Sequence, residues 1–383
     1  MAVANTLTDL IPTIFDARDT VSREPIGLLG AVQLFAGAER AAKDQVIRRG
    51  YTPVVTSSTF TPVMAVADGT GQTFTNRTLS IDTIEKVEIP WTGEQKLSLN
   101  EAGVDQYLSQ QFAQAFRTLS NKVELAVAAR HVLASRAYGD GGTNPFASTL
   151  ADTAQLRKIL QDNGAPMSDL QLAIDTTAGA AMRTLGQLTK ANEANDSNLL
   201  RKGVLMDVHG FAIRESGQIK QTVTSGTGAS ATTNSAGYAI GATTITLASA
   251  GTGTIIAGDV IRFTGHGDQY VVKTGDADVS NGGTIVLQEP GLRVALAASA
   301  IDITVEEASS RNMAFDRGAI GVVVRPPAMG RDAATDSMLV TDPISKITFD
   351  VRRYAGQGME QYFIGLGWGT VVWKPENLAL LLG

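Results

Sequence analysis

The chain has three imidazoles, His131, His209 and His266. Zinc chemistry needs two or more histidines on one face, as in HExxH, and base catalysis needs one beside a nucleophile. Here one falls in a long helical stretch, one at a strand end and one in a turn, so packing or surface roles suit each better. The sequence contains neither a GxSxG elbow nor a phosphate loop ending in Gly-Lys-Ser/Thr. The doublets Gly226-Thr227-Gly228 and Gly251-Thr252-Gly253 lie in low-complexity or β context, not between a strand and a helix, and do not read as nucleotide loops. Asp276, Asp278 and Asn281 offer enough oxygens for a calcium ion, yet a polar hairpin turn explains the same residues. With no cysteine anywhere, disulfides and thiolate metal sites are excluded. The expectation is a protein with no catalytic residue, no cofactor-binding residue and no metal site.

What organises the chain is instead a long stretch at 98–138. It lacks proline, and its only glycine, Gly103, lies in the first turn. Ser98 and Glu101 have the spacing of a capping box. Val104, Leu108, Phe112, Ala115, Leu119, Val123, Ala126 and Leu133 then recur on one helical face. Gln106, Gln110, Arg117, Glu124, His131 and Ser135 fall on the other side. Lys122 and Arg130 interrupt the apolar stripe and must pair or reach water. Gly139 is the expected stop, which predicts a rod of roughly 60 Å.

At 383 residues the chain can bury a large core in two or three domains. A net charge of −6 argues against a protein that coats nucleic acid, though not against a shell surrounding it. The first twenty residues lack a basic region ahead of an apolar core, so no signal peptide is expected. No apolar run has the length of a membrane span.

Residues 1–50 read as short amphipathic helices at 9–18 and 37–49, with Arg40, Lys43, Arg48 and Arg49 as a basic cluster at a solvated helix end. Residues 51–97 change to Thr, Val and Ile, a long hairpin with ADGTGQTFTNRT at its tip. Beyond the rod come a helix at 152–163, with Asp152 as N-cap and Gly164 as stop, a strand at 170–175 and a helix at 177–188. Short strands at 204–208 and 211–214 complete a mixed lobe. The Ser/Thr/Gly/Ala run 222–237 reads as a flexible connection. Strands at 243–248, 259–263, 269–273, 284–288, 292–296 and 301–305 then suggest a small antiparallel barrel, inserted because mixed character resumes by Ser309. The last strands are expected at 318–325, 347–351 and 362–373. Gly365, Gly367 and Gly369 there allow close approach of another backbone, and a short apolar tail ends the chain.

Three segments occur in a telling order: EKVEIPWTGEQKLSLNEAG leading into the rod, GVLMDVHGFAIRESGQI before the insertion, and NMAFDRGAIGVVVRPP through YFIGLGWGTVVWKPENLALLL. In this combination the chain resembles the major capsid proteins of tailed bacteriophages, with the HK-97-type fold. It is most similar to the P-22-type coat proteins, which carry an inserted β-barrel. The resemblance implies an α+β fold with an N-terminal arm at 1–50 and an extended β-hairpin loop at 51–97. A spine helix with part of the peripheral lobe follows at 98–150, and the axial lobe begins at 151–216. The inserted barrel spans 217–308, the axial lobe returns at 309–345, and peripheral strands close the chain at 346–383. It further implies self-assembly into pentamers and hexamers of an icosahedral head enclosing double-stranded DNA, without sequence-specific binding and without a membrane. Some relatives carry a long cleaved N-terminal region; the fifty residues ahead of the hairpin are too few, so a separate scaffolding protein is expected, beside a portal protein. The virion is the expected location, with assembly in the host bacterial cytoplasm. Other relatives cross-link through a lysine and an asparagine, but nothing marks Lys86 or Lys96 as reactive. Two further readings stay open, a nanocompartment shell protein of the same fold and a non-catalytic binding or tail-associated β protein.

Overall fold

The computed structural model describes residues 22–52, 55, 57, 59–64, 74–98, 100–189, 205, 207–220, 222–329 and 334–383, without the side chains of 100–105 and 189. The helix expected at 9–18 and most of the expected hairpin tip lie outside them. After a single helical turn, α1 (Leu28–Ala31), the chain extends as β1 (Gln33–Ala36). The helix expected at 37–49 does not form. Asp44 takes a left-handed φ of 66°, and β2 (Val46–Tyr51) follows, paired antiparallel with β3 (Thr75–Ser80) from Val46↔Ser80 to Tyr51↔Thr75. A helix of about twelve residues is marginal in water, so a partner strand with matching register outcompetes it. The hairpin therefore begins at Val46, and the expected second arm splits in two. Its latter part is β4 (Thr83–Thr92), which leaves the hairpin for a larger sheet.

The rod starts earlier and ends sooner than its sequence signals. Helices α2 (Gly93–Ser98) and α3 (Asn100–Ala128) follow β4, and a 3-10 turn covers Ala129–Leu133. The capping box is Thr92 with Gln95: Gln95 N–H donates to Thr92 Oγ1 at 3.3 Å, and Thr92 N–H donates to Gln95 Oε1 at 3.0 Å. Ser98 instead turns its hydroxyl back to the Gln95 carbonyl at 2.9 Å, while the Glu101 side chain is outside the described residues. The expected stop at Gly139 is displaced because β5 (Arg136–Tyr138) is drawn into a sheet, bonded on both edges. Strand pairing overrides helical periodicity there.

Helix α4 (Ala151–Asp162) holds Asp152 in its first turn, not at its N-cap, with the carboxylate accepting from Phe146 N–H at 2.7 Å. Gly164, at φ 73°, closes it as expected: Ala165 N–H reaches the Leu160 carbonyl and Gly164 N–H the Gln161 carbonyl. Next come β6 (Leu170–Ile174), α5 (Thr176–Thr184), α6 (Gly186–Thr189) and β7 (Phe211–Glu215), with Asp175 capping α5 through Ala178 N–H.

Then follow β8 (Ala231–Thr232), β9 (Thr244–Leu247), β10 (Val260–Phe263), β11 (Gln269–Thr274), β12 (Gly283–Leu287) and β13 (Asp302–Val305). They pair in the order β8–β13–β10–β11–β12–β9, and a bridge between Thr233 and Leu247 returns from β9 to the end of β8. Ile245, Ile261, Phe263, Val272 and Ile285 fill their interior with no exposed surface. The strand expected at 292–296 reduces to one bridge, Tyr238↔Leu296. The run 222–237 is no free connection either. It pairs at Val223↔Ser309 and Ala229↔Thr252, because a Ser/Thr/Gly segment lacks apolar bulk but keeps every backbone donor and acceptor.

The remaining strands are β14 (Arg311–Asp316), β15 (Ile320–Arg325), β16 (Asp336–Thr341), β17 (Thr348–Ala355), β18 (Met359–Val372) and β19 (Leu378–Leu382). Two large sheets result. One runs β1–β15–β18–β17–β16, with β4 laid along β18 over ten residue pairs; the other runs β7–β6–β14–β19–β5–β11–β10–β13–β8, with β12 and β9 attached. The expected apolar tail, LALLL, is a fully buried central strand of the second sheet. Helix α3 sends Ala115, Leu119, Val123 and Val127 into a core shared with both sheets, and Phe116 stacks on Phe349 at 4.6 Å.

Candidate assembly surface

The feature with functional content is the β2–β3 hairpin, and its root is fixed first. Leu79 and Ile81 pack with Ala41, Val323 and Trp373 in a small core of their own. Arg77 donates to the Trp373 carbonyl, and its guanidinium lies 4.1 Å above the Tyr51 ring. Arg49 donates to the Gly318 carbonyl at 3.0 Å and sits over the Trp373 ring at 5.7 Å. The close approach allowed by Gly369 is used: a Cβ there would collide with the Ser80 carbonyl. Gly365 and Gly367 likewise face Pro327 and Ile81.

The basic cluster of Arg40, Lys43, Arg48 and Arg49 is not a helix end, since no helix forms there. Arg40 spans to Asp350 with two bonds of 2.7 and 2.8 Å, and Asp350, fully buried, also accepts from Arg352 at 2.8 Å. Two of the four residues, Arg40 and Arg49, thus tie the entry of the hairpin to the sheet behind it.

In the connection between β2 and β3, Val55, Phe60, Val63, Met64 and Phe74 lie in the open; Phe60 is 86% exposed and Met64 completely so. A second apolar area lies at the β16–β17 turn, where Met338, Leu339 and Ile344 are exposed beside a cavity of about 650 Å³ between that turn and α3, lined by Phe112 and Phe116. Lys86 pairs with Glu88 and Lys96 with Glu360, the latter at 2.7 Å. The charges that interrupt the helix stripe also pair: Lys122 with Glu85, and Arg130 Nε with Thr370 Oγ1 at 2.6 Å.

One residue placed on the outer helix face by periodicity is in fact at its centre. Glu124 is fully buried and accepts from Leu29 N–H at 2.7 Å and Ser216 Oγ at 2.5 Å. Burial pushes its carboxyl above the ordinary range, against these hydrogen bonds. It ties α1, through Leu29, and Ser216, just after β7, to the rod; neighbouring Ser120 is also buried.

The three histidines do not converge. His131 lies at the end of the rod with Nδ1 3.0 Å from the Ala128 carbonyl, His209 has Nδ1 2.7 Å from Thr153 Oγ1, and His266 sits in a turn edge-on to Phe263. The two glycine doublets meet each other: Gly228 N–H donates to the Thr254 carbonyl, and a Cβ at Gly253 would strike Thr227. The Asp278 carboxylate is taken by Ser280 and Asn281, and Asp276 accepts from Asp278 N–H at 2.9 Å. Among the described residues no three His, Asp or Glu side chains are grouped to hold a metal ion, and no helix is long and apolar enough to cross a membrane.

No protein family and no curated protein matches the sequence. Solved structures do match the fold. A structure from Mycobacterium phage Che8 overlaps 98% of this chain and 98% of its own, with a TM-score of 0.53 at 12% identity. The capsid structure of cyanophage P-SCSP1u covers 100% of this chain and 96% of its own, at a TM-score of 0.49 and 14% identity. The mature capsid of bacteriophage PhiM1 covers 98% and 92%, at 0.47 and 9%. The chain thus has a mixed α+β fold, shared end to end with the structure from Mycobacterium phage Che8.

Proposed function

We propose that this chain is the major capsid protein of a tailed phage, a coat subunit that self-assembles into pentamers and hexamers of an icosahedral head around double-stranded DNA. The observation that carries this reading is the hairpin. Its root is locked to the subunit's own sheet, while Phe60, Val63, Met64 and Phe74 stay in the open. Apolar side chains grouped in the open in this way are unfavourable on a lone subunit and are relieved by a neighbouring copy, and head-to-tail contacts of that type close into rings. In this reading residues 1–50 are the arm, 51–97 the extended loop, 98–150 the spine with part of the peripheral lobe, and 151–216 with 309–345 the axial lobe. Residues 346–383 complete the peripheral lobe, and 217–308 are an inserted barrel of the P-22-type. A scaffolding protein and a portal would direct closure in the host cytoplasm, and the role is structural, not catalytic. The net charge of −6 suits a container whose DNA stays mobile, and tight binding of duplex DNA by unassembled subunits would contradict that point.

Negative-stain electron microscopy of the purified protein, alone and with its neighbouring genes co-expressed, tests the proposal. Closed shells, tubes or capsomer rings are expected; uniform small particles under every condition would sink it. Deleting 217–308 removes β11, which bonds β5 at Gln269↔Ala137 and Tyr270↔Arg136, so a loss of soluble yield or wrong assembly is expected.

A further inference from the structure

Among the described residues three arginines are buried, and two have carboxylate partners. Arg136 bonds Asp268 at 3.0 Å and Asn163 at 3.1 Å, and Arg352 bonds Asp350. Arg311, 2% exposed, is different. Its Nη1 donates to Ser309 Oγ at 2.5 Å and its Nη2 to Ser225 Oγ at 3.2 Å, while its Nε–H has no partner among the described residues. The nearest carboxylates are committed elsewhere: Asp259 accepts from Gly226 and Ile256 N–H groups, and Glu306 holds Arg262. Its direct hydrogen bonds reach only neutral hydroxyls, and Asp259 and Glu306 offset the burial of its charge only through space.

Arg311 lines a cavity of about 380 Å³ between the end of the rod and residues 218–220 and 222–224. His131 and Lys220 line it too, with the hydroxyl-bearing Thr222 and Thr224, and among the described residues no lining side chain carries a carboxylate. When His131 Nδ1–H donates to the Ala128 carbonyl, Nε2 is left as an acceptor. Burial, then the nearby Arg311 and Lys220 charges, hold this imidazole below its ordinary range. Glu124, seven residues back on the helix, is turned to Leu29 and Ser216, and Asp259 and Glu306 lie on the Arg311 side.

We propose that this cavity is an oxyanion site that takes a phosphate group, either inorganic phosphate or a phosphodiester of a nucleic acid. Arg311 supplies the fixed charge, Lys220 closes the exposed side, the threonine hydroxyls donate, and His131 takes up a proton as the anion arrives. Nothing in this depends on the chain being a coat protein.

With only three histidines, imidazole NMR on the unassembled full chain is direct, and His131→Gln assigns the resonance. Titration with potassium phosphate, against chloride at matched ionic strength, should raise the His131 pKa saturably and leave His209 and His266 unmoved. Lys220→Met, at an exposed position that leaves the fold intact, should weaken phosphate binding about tenfold. A duplex oligonucleotide without terminal phosphates divides the sources: competition with phosphate assigns the phosphodiester, and no competition assigns the free anion. A His131 resonance indifferent to phosphate, or a Lys220→Met chain that binds phosphate as the parent does, overturns the proposal.

Discussion

The root of the β2–β3 hairpin and the segment it carries outward are built from similar residues and meet opposite ends. At the root, Leu79 and Ile81 are buried, and Ser80 lies where Gly369 leaves room for it. In the connection between the two strands, Phe60 and Met64 are open to water. A two-stranded ribbon has only two faces and cannot bury both by itself. The root solves this with its own chain's sheet, and the outer segment finds no such partner among the described residues. The element is packed at one end and open at the other, which is what the proposed assembly would use.

Gly369→Val gives the largest effect that could break this comparison. Its side chain would occupy the space of the Ser80 carbonyl, so a loss of about 3 kcal/mol or more is expected by urea denaturation. An unchanged midpoint would mean that the root is not packed as described. Arg77→Ala comes next. It removes the bond to the Trp373 carbonyl and the stacking on Tyr51, at about 1–2 kcal/mol, with assembly weakened only in proportion. The double change Phe60→Ser with Met64→Ser should move unfolding by less than about 0.5 kcal/mol, yet abolish ring or shell formation seen by light scattering. A large stability loss there would show that the outer segment packs within its own subunit.

The smallest effect concerns ion pairs on the rim of the same body. Arg353, and with it Lys96, holds Glu360 down to about 2, and Arg117 with Asn121 holds Glu24 down to about 2. A carboxyl depressed in the folded chain binds fewer protons there than when unfolded. Its stabilisation is complete above the ordinary carboxylate range and is lost as pH falls toward 2. Both pairs are partly solvated, so each contributes at most about 1 kcal/mol. Glu360→Gln should flatten the acid limb of stability between about pH 5 and 2, measured as urea midpoint against pH. A limb as steep as the parent's would assign the acid loss to other groups.

Much of this architecture was legible because it rests on local signals. The apolar spacing of Leu119 and Val123 marked the rod's buried face, Gly164 marked the end of α4, and the glycines of YFIGLGWGT marked close approach. The Asp278 turn could also be read, since its carboxylate serves residues two and three positions on. What misled was competition between local and distant partners. The 37–49 segment has helical amphipathicity but lies opposite β3, and residues 136–138 continue the rod's pattern but lie between two strands. Glu124 looked like a solvent-facing charge because periodicity reports which face a residue occupies, not what lies over that face.

The sequence by itself determined the order of parts, the absence of thiol chemistry, the long helix and the β character of 243–305. These follow from residue type and near-neighbour spacing, which act within a few turns of chain. Only the tertiary structure decided where the rod stops, that LALLL is a central strand, and that Ser/Thr/Gly residues at 222–237 are woven into a sheet. It alone also left Arg311 buried without a directly bonded carboxylate among the described residues. Each of these depends on backbone donors or charges brought together from positions tens to hundreds of residues apart, and pairing energy of that kind leaves no periodic mark in either partner.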